Sequence, residues 1–144
     1  MMLTMQFTVR PDQGDPGGFD LGDMSVTGDL GTADSAGHTP DQGMVIHLSV
    51  TQLLDSLGDF LRGDAGTLAF TGVDTSFGLI FRRTTKGLSV ASKGGVIART
   101  SAPELGEAVL RAADRLALTL PAEDSAAADL SAALASFPRP VEDV

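Results

Sequence analysis

The spacing of apolar residues switches twice along this chain, and the switches set the order of its elements. Leu3, Met5, Phe7 and Val9 alternate with Thr4, Gln6 and Thr8, the two-residue period of a half-buried strand, which Pro11 ends. Met44–Ser49 repeats that period, with Met44, Ile46 and Leu48 on one face. Leu53, Leu54, Leu57, Phe60 and Leu61 then fall on one helical face, which predicts a helix over 50–62. Ser49 and Gln52 have capping-box spacing, and Gly63 is placed to supply a left-handed stop.

Strand periodicity returns in Thr67–Gly72, Phe77–Thr84 and Leu88–Ser92. Thr84-Thr85-Lys86-Gly87 and Lys93-Gly94 read as tight turns of a meander that ends near Thr100. Ser101-Ala102-Pro103-Glu104 opens a helix with an N-cap, an early proline and a glutamate three residues on. That helix runs to about Leu118 and buries Leu105, Val109, Ala112 and Leu116. A second start after Pro121 gives a stripe of Ala126, Leu130, Ala133, Leu134 and Phe137, stopped by Pro138. The expected fold class is α+β: a mainly antiparallel sheet of about 5–6 strands with helices packed on one face. It forms a single domain over residues 1–137, followed by a flexible tail at 138–144.

Residues 10–43 hold eight Gly, seven Asp and three Pro, a loop composition in which only Leu21–Leu30 reads as a strand. The aspartates offer oxygen ligands, but no segment has the ligand spacing of a calcium loop, so solvated loop is the expectation. With no cysteine in 144 residues, zinc-thiolate sites and thiol nucleophiles are excluded, and a cytoplasmic location is expected. The N-terminus has no basic region leading into a sustained apolar run, and no stretch is long enough to span a membrane. Nucleophile-elbow, phosphate-loop and dinucleotide fingerprints are all missing. His38 falls in the loop and His47 in a strand, opposite Ile46 and Leu48, as a half-exposed strand histidine. The expectation is therefore a protein that is not an enzyme, with no catalytic residues, no metal and no cofactor.

The net charge is −9, yet residues 75–103 carry Arg82, Arg83, Lys86, Lys93 and Arg99 and no acid. Hairpin alternation sorts these bases. Arg83 and Arg99 fall on the side of Phe81, Leu88 and Val90, where they edge the core and pair with acids elsewhere. Arg82 and Lys93 face solvent with Gly78, Ile80, Ser89, Ala91 and Ala98, a small and wettable sheet face. Arg82, Lys86 and Lys93 are therefore the candidate partner-binding residues, suited to an acidic segment of a protein partner. The acidic remainder of the chain and its lack of Tyr and Trp disfavour nucleic acid, which stays as the alternative reading for the basic 82–99 region. Self-association stays open.

The segment "IHLSVTQLLDSLGDFLRGDAGTLAFTGVD", followed by the hairpin and the final helices, resembles in layout the SsgA-like regulators of sporulation-specific septation in actinomycetes. That resemblance implies a whirly-type sheet and a regulatory role without catalytic residues. Small actinobacterial immunity proteins, acidic α+β domains, are similar to an equal degree.

Overall fold

A computed structural model describes residues 3–38 and 41–138. In chain order the elements are β1 (Thr4–Val9), β2 (Leu21–Thr27), β3 (Thr32–Asp34), β4 (Met44–Val45), α1 (Ile46–Arg62), β5 (Thr67–Thr71), β6 (Gly78–Thr84), β7 (Gly87–Ser92), β8 (Gly95–Thr100), α2 (Ala102–Ala117) and α3 (Ser125–Ser136). The α+β class holds, but the strands divide into two four-stranded antiparallel sheets rather than one of 5–6. One has the order β1-β2-β3, with β4 also on β2; the other is β5-β6-β7-β8. β4 is only two residues long, pairs with β2 and runs straight into α1. A single core joins the layers, from Met24 and Val26 through Leu53 and Leu57 to Phe81, Leu105 and Leu130.

The strand expected over Met44–Ser49 is therefore mostly the first turns of α1. Ile46, Val50, Leu53, Leu54 and Leu57 are all buried, and this helical spacing overrides the short alternation of Met44, Ile46 and Leu48. Ser49 does not cap the helix. Its hydroxyl donates to Val45 O at 2.8 Å and accepts from Val73 N at 2.8 Å, tying α1 to the loop after β5. Gly63 ends the helix in an extended conformation, not the expected left-handed one. The two C-terminal helices keep to their sequence signals. Ser101 accepts from Glu104 N at 3.2 Å, Asp124 caps α3, and every apolar residue assigned to the two stripes is buried.

Residues 10–43 contain two strands where one was expected, since β2 stops at Thr27 and turns back as β3. Two of their acids are paired inside the segment. Arg10 grips Asp23 at 3.0 and 3.1 Å and Asp41 with two bonds of 2.8 Å, joining the two ends of the loop region. Both carboxyls are held below the usual aspartate range, chiefly by those Arg10 bonds. Asp23 also accepts from Ser35 Oγ at 2.7 Å. The tail expected after Pro138 lies, from residue 139 on, outside the described residues.

Candidate partner-binding site

The β6–β7 hairpin turns through Thr85-Lys86, with Thr84 opposite Gly87, and the β7–β8 hairpin turns through Lys93-Gly94, with Ser92 opposite Gly95. Both turns are the ones expected. Lys86 and Lys93 thus lie at opposite ends of β7, about 23 Å apart along the strand at ~3.3 Å per residue. Arg82 shares the Lys86 end, facing Thr67 on β5 and Ser89 on β7. The three candidate residues therefore make two sites, not one patch.

The other bases of the region are engaged. Arg83 reaches back to the end of α1, donating to Phe60 O, to Gly63 O at 2.9 Å and to Ala65 O at 2.9 Å, with its guanidinium 4.7 Å from the Phe60 ring centre. It neutralises carbonyls that a helix C-terminus leaves open, a structural role. Arg99 is also paired, with Asp29 at 3.3 Å, but not on the expected side. A bulge shifts the register, so that Val90 faces Ala98 while Ala91 faces Val96, leaving Ile97 as the extra residue. Arg99 is thereby moved from beside Leu88 to beside Ser89, in a cross-strand row with Arg82. Ala98, expected on the wettable face, passes to the core side and is 1% exposed, while Ser89 and Ala91 are also covered. Asp29 additionally accepts from Arg99 N at 2.8 Å, and Leu30 N donates to Ile97 O at 2.9 Å. The β2–β3 turn thus seals the outer edge of β8.

Among the described residues, Arg82, Lys86 and Lys93 make no ion pair, and neither does Arg115 on α2. Lys93 stands on the rim of a cleft of about 650 Å³ between the two sheets. Phe70, Phe77, Leu79 and Ala33 give this cleft apolar walls, and Asp34, His38 and Gln42 stand with Lys93 among its polar lining. Sequence reasoning missed it, because its walls come from different sheets. The bulge had a trace: Val96-Ile97-Ala98 breaks the apolar alternation of the strands before it.

The comparisons with known proteins come out empty. The chain matches no protein-family model, no curated protein and no solved structure. No described helix is long and apolar enough to cross a membrane. Among the described residues, no three of His, Asp or Glu come together as a ligand set.

His47 is not the half-exposed strand residue expected but a fully buried one in the first turn of α1. Thr119 Oγ1 donates to Leu116 O at 2.7 Å, so His47 Nε2–H donates to that hydroxyl at 2.9 Å, and Nδ1 has no partner among the described residues. Burial pushes the imidazole below its ordinary value, against weaker opposite effects of Asp20 and Asp124. The unfolded chain therefore takes up the proton first as pH falls. Stability is full above the ordinary histidine value of about 6.5 and declines below it, ahead of the carboxylate limb below about 4. Urea midpoints at pH 7.5 and 5.5 check this: the wild type loses stability between them, and His47→Gln loses measurably less. An equal loss in both proteins would contradict the assignment.

Proposed function

We propose that this chain is a non-enzymatic protein-interaction module that recognises an acidic surface of a partner protein by charge complementarity. The observation that carries the reading is the division of the basic segment. Arg83 and Arg99 are spent on the chain's own carbonyls and carboxylates, while Arg82 and Lys86 stand at one hairpin end, exposed and, among the described residues, without a counter-ion. On a surface that is otherwise acidic, such a pair attracts an acidic patch and orients it, which raises association rate and selectivity more than raw affinity. A regulatory role of the septation type and an immunity role both fit this mode. They differ in the partner, a cell-division protein in one case and a toxin in the other, and in the genes expected beside this one. A cytoplasmic site of action fits either.

The test is affinity capture on the immobilised chain, comparing the wild type with Arg82→Glu/Lys86→Glu. The expected result is loss of the specifically retained protein by tenfold or more, with the thermal midpoint unchanged. Retention of every wild-type partner by the double variant removes the hairpin end as the site. A wild type that instead binds single- or double-stranded nucleic acid at 50 mM salt, with affinity falling steeply as salt rises, transfers the site to the nucleic-acid alternative.

A further inference from the structure

We propose that the inter-sheet cleft is a docking slot for an extended peptide segment of a partner protein, which adds as a strand to the open edge of β3. The proposal rests on the reading of this chain as a partner-binding protein, but on neither Arg82 nor Lys86.

The backbone of β3 is the first ground. Gly28 N donates to Gly31 O at 2.9 Å and Ser35 N to Met24 O at 3.0 Å, which makes 28/31 and 24/35 hydrogen-bonded pairs of the β2–β3 ladder. The intervening pairs Ser25/Asp34 and Thr27/Thr32 are then the non-bonded ones. The N–H and C=O of Thr32 and Asp34 therefore point away from β2. β3 is the last strand on that side of its sheet, so among the described residues nothing pairs with it there. One of the four groups is satisfied: His38 Nε2 donates to Asp34 O at 2.6 Å, which closes the far end of the edge. The rest form a short ladder of the kind that recruits an added strand.

The second ground is what that edge opens on. All three residues of β3 line the 650 Å³ cleft, together with Ala69, Phe70 and Thr71 of β5, itself an edge strand. Phe70 and Leu79 are cross-strand partners, and Ser92 follows Ala91, the partner of Ile80, so these three share one face. With Phe77, the Phe70 and Leu79 of that face are core residues that floor the cleft, and the apolar surface left open to an extended segment is on Ala69 and Ile80. Lys93 supplies the charge. It lies in a run of 29 residues with five bases and no acid, while Asp34 at the cleft is turned back to accept from Ala36 N at 2.9 Å. The occupant is therefore an extended segment with apolar residues at alternate positions and an acidic residue beside them.

The probe is a displayed library of random ten-residue peptides, panned on the full chain and counter-selected on Thr32→Pro. That substitution deletes an edge N–H that the fold does not use. The expected yield is peptides with apolar residues at i and i+2 and an Asp or Glu nearby. Their affinity drops at least tenfold on Thr32→Pro and on Lys93→Glu, and by less than twofold on Arg82→Glu/Lys86→Glu. An N-methyl scan along the best peptide keeps the test valid even if Thr32→Pro unfolds: affinity falls at alternate residues only, the signature of strand pairing. Peptides that bind Lys93→Glu and Thr32→Pro as well as wild type, or a scan without that alternation, overturn the slot. If the selected peptides are lost only on Arg82→Glu/Lys86→Glu, the slot is wrong and the hairpin-end reading stands. Enrichment of no peptide also overturns it.

Discussion

Gly22→Val lowers the stability of the chain by at least about 3 kcal/mol. Gly22 lies in β2 where three elements converge, paired with Val9 of β1 on one side and Met44 of β4 on the other. A Cβ at this position would stand 2.1 Å from Thr8 O and 2.6 Å from Ile46 Cγ2. Neither neighbour can give way, because Thr8 O is backbone within a ladder and Ile46 is fully buried at the start of α1. Overpacking ordinarily costs about 1–3 kcal/mol, and contact with backbone on one side and a locked core side chain on the other puts this case at or above ~3 kcal/mol. Against a typical domain stability of about 5–15 kcal/mol, that is a large fraction of the total and lowers the denaturation midpoint well beyond experimental error. Gly94→Ala is the control, since a Cβ there meets nothing closer than Ser92 Oγ at 3.9 Å. Urea denaturation should show a shift within ~0.5 kcal/mol for Gly94→Ala and a midpoint lowered by the equivalent of ~3 kcal/mol or more for Gly22→Val. Equal midpoints would contradict the convergence of β1, β4 and α1 on this residue.

Phe81→Ala and Arg82→Ala, adjacent in sequence, should differ by several kcal/mol. Phe81 is fully buried, faces Leu68 and Val90 across its two ladders, and belongs to the core shared by all three helices. Its truncation removes the transfer free energy of the ring and leaves a cavity, together about 3–5 kcal/mol. Arg82 points the other way, is exposed and pairs with no acid among the described residues, so its truncation stays within ~0.5 kcal/mol. Chemical denaturation of the two variants side by side reads the register of β6 directly. A costly Arg82→Ala with a harmless Phe81→Ala would invert the sheet's faces and, with them, the surface offered to a partner.

Much of this architecture is legible from local patterns. The cap at Ser101, the stripes of α2 and α3 and the two-residue turns at Lys86 and Lys93 follow from residue types with a direct backbone consequence. What local pattern misses has a common cause. The alternation of Met44, Ile46 and Leu48 is too short to separate strand from helix, and burial of Ile46 under Gly22 selects helix. The side taken by Arg99 depends on one extra residue, Ile97, and a one-residue change of register exchanges the faces of everything beyond it. The Gly/Asp segment reads as loop from its turn-forming composition, while in the fold Arg10 binds two of its acids and Arg99 a third. Arg83 and Arg99 are engaged within the chain, Arg99 from the side not expected, while the division of Arg82, Lys86 and Lys93 between two ends of β7, and the cleft beside Lys93, depend on the tertiary arrangement of both sheets.

The most direct measurement of the account is the dissociation constant of the captured partner, taken at 50 and 500 mM salt for wild type and for Arg82→Glu/Lys86→Glu. The expected result is a wild-type affinity that weakens about tenfold or more as salt screens the exposed pair, and a double variant already weak at 50 mM and nearly insensitive to salt. Equal affinities with equal salt dependence in the two proteins would contradict recognition through the unpaired bases of the hairpin.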